Sequence, residues 1–177
     1  MGLFRKKFSE RLAAQAFVQD VIRGAEESWP AIVDAYSRVL GSDISRLRTD
    51  HNASFEFGMA CLAVQAAPLP NLFPTKQARR LVDHILAILS LREYHGDALQ
   101  TFQTYFDAWH DAVRRADTPL TAVVSLLYDR LHLDVMIESR GKKHRHPVTL
   151  LALEDSVLRC GGGWWKHTSQ EYRLFKL

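Results

Sequence analysis

The sequence predicts an α+β protein with a mainly helical body, from residue 1 to about residue 130, followed by a small antiparallel β-hairpin or meander. Two observations predict this class. Hydrophobic side chains recur at helical spacing through the first 130 residues, and from Leu131 onward they alternate with polar ones, which is the period of a strand. The chain has 177 residues, of which 47% are hydrophobic. It can therefore bury one sizeable core, and we expect a single domain over residues 1–177.

Helix-start signals divide the first 130 residues. A small polar or acidic residue caps a helix well, and proline is favoured in the first turn. The sequence Ser28-Trp29-Pro30 therefore predicts a helix that ends at Gly41. Further runs with helical spacing follow the other start signals, which are Thr75, Asp97 and Thr118-Pro119.

One helix is predicted to form the buried centre of the protein. Between Ala53 and Ala67 the only polar side chains are Ser54, Glu56 and Gln65, so apolar groups point in every direction around the helix axis. The next segment, residues 68–74, contains three prolines and predicts an extended connector.

The predicted hairpin pairs residues 131–139 with residues 144–153. In both segments hydrophobic side chains alternate with polar ones, and one register satisfies both strands. A two-residue turn at Gly141-Lys142 places the following residues opposite each other: Val135 and Val148, Leu133 and Leu150, Leu131 and Ala152, and Glu138 and Arg145.

The sequence does not determine the secondary structure of the last segment, residues 156–177. Three consecutive glycines, Gly161–Gly163, predict a loop or a close approach of the backbone. Val157-Leu158 and Tyr172–Phe175 have the composition of short strands.

Charge and cysteine content narrow the class of protein. The chain has 23 lysines and arginines against 20 acids, and a formal charge of +3 demands neither a nucleic acid nor an anionic membrane as partner. No apolar run is long enough for a transmembrane segment or a secretory signal, so we expect a cytoplasmic protein.

Cys61 is predicted to be a buried small hydrophobe and Cys160 a loop thiol. No cofactor is predicted.

Two Asp-x-x-His pairs raise the possibility of a metal site. Asp107 with His110, and Asp129 with His132, have the i,i+3 spacing that places a carboxylate and an imidazole on one side of a helix. Helix geometry argues against a shared ion, because both aspartates lie roughly opposite the apolar face of their own helix. We therefore predict that Asp107 and Asp129 are exposed to solvent and bind no metal.

Glu56 is the one catalytic candidate. Its helix offers almost only apolar neighbours, and a buried glutamate with a raised pKa can serve as an acid or a base. The alternative is a structural carboxylate in the first turn, stabilised by the helix dipole or by a capping arrangement. No nucleophile elbow, zinc-protease motif, phosphate-binding loop or dinucleotide fingerprint accompanies Glu56, so a non-enzyme is favoured.

The hairpin tip is the strongest binding candidate. Four fixed positive charges fall within six residues, at Arg140, Lys142, Lys143 and Arg145. Such a cluster suits an anionic surface, although charged tips also keep sheet edges soluble. Contact with nucleic acid is an alternative, but the preceding helix presents an acid, Asp129, and few phosphate-binding side chains.

Two aromatic features complete the set of candidate contacts. Trp164 and Trp165 are adjacent, so in a strand one would enter the core and the other would face a partner. Phe4, Phe8 and Leu12 form an apolar strip at helical spacing beside basic residues. Docking of this strip on the domain itself or on a partner protein is favoured over weak contact with a membrane surface.

Taken together, these features favour a non-catalytic binding or accessory protein that contacts a protein or another anionic partner through the basic hairpin and exposed aromatics. The first alternative is a nucleic-acid-binding protein that uses the same hairpin. The second is an enzyme with a site around Glu56.

Overall fold

The structure is a computed structural model that describes residues 6–40, 44–91, 97–133, 136–139, 142–145 and 147–176. Most of these residues are helical. The helices are α1 (Glu10–Leu40), α2 (His51–Ala66), α3 (Leu69–Leu72), α4 (Thr75–Leu89), α5 (Ala98–Arg114), α6 (Pro119–Arg130), α7 (Pro147–Arg159) and α8 (Trp164–Glu171). The strands are β1 (Lys6–Ser9), β2 (Met136–Ser139), β3 (Lys142–Arg145) and β4 (Tyr172–Phe175), and a 3-10 turn covers Ser45–Arg48.

The helical body predicted from the sequence is confirmed. Helices α4, α5 and α6 begin at or directly after the start signals Thr75, Asp97 and Thr118. Among the described residues, no helix combines the length and the apolar character that crossing a membrane requires.

Helix α2 lies at the centre of this body. Its residues are buried without interruption from Phe57 to Val64, and it packs against α1, α5, α6 and α7. Asp50 caps its first turn by accepting hydrogen bonds from the backbone N–H groups of Asn52 (2.9 Å) and Ala53 (3.3 Å).

The predicted helix start at Ser28-Trp29-Pro30 is wrong, because α1 continues through Pro30. A proline inside a helix costs about 3 kcal/mol, so a larger gain must hold this segment helical. That gain is burial of one apolar stripe that runs across the proline and consists of Phe17, Val21, Ala25, Trp29 and Val33. The indole N–H of Trp29 also donates to the carbonyl oxygen of Leu47 at 2.7 Å.

The N-terminal apolar strip does not form on one helix. Phe4 lies outside the described residues, and Phe8 belongs to β1, where its ring centroid is 5.3 Å from that of Tyr172. Leu12 lies in the first turn of α1 and is 51% exposed. Phe8 therefore contacts the protein's own C-terminal strand.

The proline-rich connector is partly helical. Residues 69–72 form the single turn α3, and the chain becomes extended only at Phe73. Pro70 is tolerated because a residue in the first turn of a helix has no intrahelical use for its backbone N–H.

The predicted β region over residues 131–177 contains three short strands, β2, β3 and β4, but the segment from Pro147 to Glu171 is mainly helical. Pro147 begins helix α7 instead of continuing a strand, and α8 follows after the glycines. The alternation of Val148 and Leu150 misled the prediction because the buried positions of this segment are spaced by four residues: Thr149, Leu153 and Val157. Val148, predicted to face inward, is 49% exposed.

The sheet at the C-terminus is parallel and joins the two ends of the chain. Strand β4 pairs with β1 in the register Lys6 with Tyr172 through Ser9 with Phe175. Parallel pairing requires a long connection, and here residues 10–171 lie between the two strands.

The predicted pairing of residues 131–139 with 144–153 is not formed. Strands β2 and β3 make a four-residue antiparallel ladder with Met136 opposite Arg145 and Ser139 opposite Lys142. This register differs by two residues from the predicted one, so Glu138 lies opposite Lys143 rather than Arg145. Val135 lies outside the described residues.

A buried ion pair fastens the start of α1 to α4. Glu10 is 1% exposed and accepts two hydrogen bonds from the Arg80 guanidinium, both at 2.8 Å. Gln77 donates to the same carboxylate at 3.0 Å and to the carbonyl oxygen of Leu174, in β4, at 3.4 Å. The hydrogen bonds from Arg80, more than those from Gln77, hold the pKa of Glu10 below its ordinary value.

This ion pair predicts a specific loss of stability in acid. Because the pKa of Glu10 is lower in the folded protein than in the unfolded chain, its contribution is present above the ordinary carboxyl pKa of 4.5 and is lost as the pH falls through the lowered value. We expect urea denaturation to show this decline in the wild-type protein, and Glu10→Gln to lack it.

The exposed carboxylate Asp83, on α4, provides the matched control. Asp83→Asn should keep the wild-type pH profile. Identical profiles for the wild-type protein and Glu10→Gln would contradict the prediction.

Candidate functional site

Glu56 lies at the junction of three helices. From α2 its side chain meets Tyr105 on α5 and Arg130 at the last position of α6. The Tyr105 hydroxyl donates to Glu56 Oε2 at 2.7 Å, and Arg130 Nε donates to Glu56 Oε1 at 2.9 Å. The Arg130 guanidinium carbon is also 5.8 Å from the centre of the Tyr105 ring.

The environment of Glu56 also determines the state of the Tyr105 phenol. The Glu56 side chain is 16% exposed, and both of its carboxylate oxygens accept hydrogen bonds. Burial, with the neighbouring Glu56 as a second cause, raises the pKa of Tyr105 well above its ordinary value, so the phenol stays a neutral donor.

The predicted first-turn role of Glu56 is wrong. Asp50 caps α2 and Glu56 is the sixth residue of the helix, in its second turn. Sequence reasoning identified Glu56 but neither of its partners. The available signals were a tyrosine on the apolar face of α5 and a basic residue at the end of α6, and both are common in helices.

A polar cleft opens beside this cluster, between α2 and α5. Its volume is about 660 Å³, which lies in the range of small-molecule sites. The lining presents carboxylates, amides and hydroxyls, together with the ring of Phe55 and the charge of Arg130. The polar groups other than Arg130 belong to Asn52, Glu56, Asp97, Gln100, Thr101 and Thr104.

Asp97 differs in its hydrogen bonding from Glu56, the other acidic residue that lines the cleft. It occupies the cap position of α5, yet its side chain makes no capping hydrogen bond. Within the described part of the chain its carboxylate therefore lines the cleft without the backbone partners that Asp50 has at the start of α2.

A smaller hollow of about 220 Å³ lies on the other side of the Glu56–Arg130 pair, which lines both spaces. Arg46 and His132 border this second hollow, and Arg46 Nη2 donates to the carbonyl oxygen of His132 at 3.4 Å. His132 has a φ of 49°, which reverses the chain directly after α6.

The aspartates of the two Asp-x-x-His pairs are exposed, as predicted. Asp129 forms an ion pair with Arg145, and His110 packs edge-on against the ring of Phe106 with centroids 4.5 Å apart. No group of three potential metal-ligating side chains occurs among the described residues.

The basic hairpin tip is only partly described. Arg140 and the side chains of Lys142 and Lys143 lie outside the described part of the structure. Arg145 binds Asp129 on α6 through two hydrogen bonds, from Nε at 3.0 Å and from Nη2 at 2.6 Å. Arg145 therefore ties the hairpin to the helical body.

The adjacent tryptophans both pack on α1. Trp165 is 2% exposed and lies against Phe17, with ring centroids 4.7 Å apart. Trp164 is partly buried, and its indole N–H donates to Asp20 Oδ2 at 3.1 Å. Because residues 164–171 are helical, the two rings do not face opposite sides as they would in a strand.

Comparisons with models of known protein families, with curated proteins and with solved structures find no match for this chain.

The cluster at Glu56 predicts coupled effects on stability. We expect Tyr105→Phe to lower the free energy of unfolding by about 1–2 kcal/mol, because a hydrogen bond to a charged group is lost. Arg130→Met should cost about 1–2 kcal/mol, less than a fully buried ion pair, because Arg130 stays partly in water. Urea denaturation provides the measurement.

A double-mutant cycle separates this cluster from an ordinary surface pair. Arg130→Met should cost less in a Glu56→Gln background than in the wild-type protein. The control is Arg159→Met, which breaks an exposed pair with Asp155 and should cost no more than about 0.5 kcal/mol. Additive effects of Glu56→Gln and Arg130→Met would contradict the proposed coupling.

Proposed function

We propose that this chain is a non-catalytic binding protein that holds a small polar molecule in the cleft beside Glu56. The observation that carries the proposal is the cleft itself: about 660 Å³ lined mostly by polar side chains at the junction of three helices. Packed helices hold these groups in place, so little conformational freedom is lost when a ligand binds.

The hydrogen bonding of Glu56 favours binding over catalysis. Its two oxygens already accept from Tyr105 and Arg130, so Glu56 acts as a positioning group that fixes the guanidinium at the edge of the cleft. Because each of its oxygens already holds a donor, Glu56 is less suited to transferring a proton to or from a substrate, which disfavours the enzyme alternative around Glu56.

The lining favours a ligand rich in hydrogen-bond donors. Among the described residues that line the cleft, Glu56 and Arg130 neutralise each other, which leaves the carboxylate of Asp97 as the excess charge. The amides and hydroxyls around it accept hydrogen bonds, and Phe55 offers an apolar face. A neutral polyol or a singly charged amine fits this chemistry better than a carboxylate does.

Thermal denaturation with three matched probe series tests this proposal. We expect short-chain amines and polyols to raise the melting temperature of the protein, and carboxylates of the same carbon skeleton to have no effect. Asp97→Asn should weaken binding of the amines about tenfold, which corresponds to about 1.4 kcal/mol, while leaving the polyols less affected.

Asp83→Asn, on α4 and outside the cleft, is the matched control and should bind every probe as the wild-type protein does. Equal binding of amines and carboxylates, or binding that Asp97→Asn does not change, would contradict the assignment of the cleft.

A second candidate function is contact with an anionic partner, a protein or another anionic surface, through the hairpin of β2 and β3. The observation that favours it is that, among the described residues, these two strands lie chiefly against each other rather than against the helical body. The Arg145–Asp129 ion pair anchors the hairpin to α6, and three further basic residues, Arg140, Lys142 and Lys143, fall between Ser139 and His144 in the sequence.

Salt dependence tests the hairpin. We expect a labelled polyglutamate peptide to bind more weakly as salt rises, and the triple variant Arg140→Gln, Lys142→Gln, Lys143→Gln to bind less tightly with a shallower salt slope. Arg145 is left unchanged because it holds the hairpin to α6.

The matched control removes three exposed cations elsewhere: Arg11→Gln, Arg79→Gln and Lys166→Gln. It should retain wild-type affinity. If a labelled DNA duplex or single-stranded RNA binds more tightly than the peptide, the nucleic-acid alternative is supported. Equal affinity in the triple variant and the wild-type protein would contradict a binding role for the tip.

A further inference from the structure

The two cysteines, 99 positions apart in the sequence, meet in the structure. Cys61 lies in the middle of α2 and is fully buried, while Cys160 directly follows α7 and is partly buried. Helix α7 packs on α2, and Gln65, one turn after Cys61, donates to the carbonyl oxygen of Leu158, two residues before Cys160, at 3.2 Å. These contacts place Cys160 beside the face of α2 that carries Cys61 and Gln65, and both thiols are free.

The two thiols differ in access. Cys160 borders a hollow of about 340 Å³ between α1 and the end of α7. Gly24 on α1 faces the sulfur of Cys160. If residue 24 carried a Cβ atom, that atom would lie 4.0 Å from Cys160 Sγ, so the glycine leaves space beside the thiol. A small molecule can therefore reach Cys160 through this hollow, whereas Cys61 is fully buried and does not line it.

The two thiols also differ in acidity. The hydrogen bond from Cys61 lowers the pKa of Cys160, and burial raises the pKa of Cys61 well above its ordinary value. As a neutral thiol, Cys160 donates to the carbonyl oxygen of Val21 over 3.7 Å, and as a thiolate it accepts from Cys61. The accessible sulfur is thus the better nucleophile, and the buried one keeps its proton.

We propose that Cys160 and Cys61 form a redox-active pair, in which a hydroperoxide oxidises Cys160 and Cys61 then closes a disulfide between the end of α7 and the centre of α2. In the first step the Cys160 thiolate attacks one peroxide oxygen, an S–O bond forms and the O–O bond breaks. With hydrogen peroxide, the departing hydroxide takes up a proton and leaves as water, and Cys160 becomes a sulfenic acid.

In the second step Cys61 attacks the sulfenic sulfur. The S–S bond forms, the S–O bond breaks, and the hydroxyl leaves as a second water with the proton of Cys61. The two thiols together lose two electrons and two protons, and one hydrogen peroxide is reduced to two waters.

Local backbone geometry suits this closure. A disulfide is about 2.05 Å long, so two free thiol sulfurs must move closer together to form one. Cys160 is followed by three glycines, of which Gly161 (φ 72°) and Gly163 (φ 79°) adopt the left-handed conformation that other residues rarely enter. Cys61 is fixed inside α2, so the movement falls to the Cys160 segment.

Mass spectrometry of the oxidised protein is the direct test. After treatment with hydrogen peroxide, we expect peptide mapping of the wild-type protein to identify a Cys61–Cys160 disulfide that dithiothreitol reverses. Cys61→Ser should instead accumulate a sulfenic acid at Cys160, trapped by dimedone. Cys160→Ser should form neither product.

The rate of reaction with hydrogen peroxide distinguishes a Cys160 thiol activated by Cys61 from an ordinary exposed thiol. The control carries Ala87→Cys, at an exposed position of α4, in a Cys61→Ser, Cys160→Ser background. We expect Cys160 in the wild-type protein to react with hydrogen peroxide on the order of tenfold faster than this control, because a larger fraction of it is thiolate.

Two results would overturn the proposal. One is oxidation of the wild-type protein to a sulfenic or sulfinic acid with no disulfide, and the other is a Cys160 rate equal to that of the control cysteine. Disulfide mapping needs only the wild-type protein, so the test stands even if a serine variant fails to fold, and Cys61→Ala offers a second way to trap the sulfenic acid.

Discussion

The structure depends on one constraint, which is that α2 is apolar on every side and must be enclosed completely. Burying a helix all round requires neighbours on all its faces, and α1, α5, α6 and α7 supply them. The free-energy gain from this burial also explains why α1 stays helical through Pro30, since Trp29, one residue earlier, packs on Phe57 with ring centroids 5.2 Å apart.

The few polar groups of α2 need individual partners, because an unpaired polar group in such a place is costly. Glu56 is satisfied by Tyr105 and Arg130, and Gln65 donates to the carbonyl oxygen of Leu158 at 3.2 Å. The proposed partner of Cys61 is Cys160. Each partnership joins the central helix to a later part of the chain, and two of them mark the candidate sites.

Sequence reasoning predicted what is encoded locally and missed what depends on distant contacts. Capping residues and helical periodicity located α4, α5 and α6, and the lack of polar residues identified α2 as central. Residues 147–153 were misjudged because a short apolar run fits both a strand and a helix. The parallel pairing of β1 with β4 could not be found, since two four-residue segments so far apart carry no signal of each other.

The same distinction applies to the sites. Glu56 is conspicuous in the sequence as a lone carboxylate among apolar residues, but Tyr105 and Arg130 become its neighbours only when α5 and α6 pack against α2. Cys160 reads as an isolated loop thiol until α7 brings it to Cys61. In both cases the sequence indicates the residue on α2, and only the packing of the later helices supplies its chemistry.

The two sites share α2 but face different neighbours. Glu56 and Cys61 are five residues apart, and at about 100° per residue their side chains point about 140° away from each other. One therefore faces α5 and α6, and the other faces the end of α7. A ligand in the cleft and an oxidised thiol pair thus do not touch, and any influence between them must pass through α2. Because its neighbours enclose this helix and the Cys160 segment takes up the movement of disulfide closure, Glu56 should keep its position when the two thiols are oxidised.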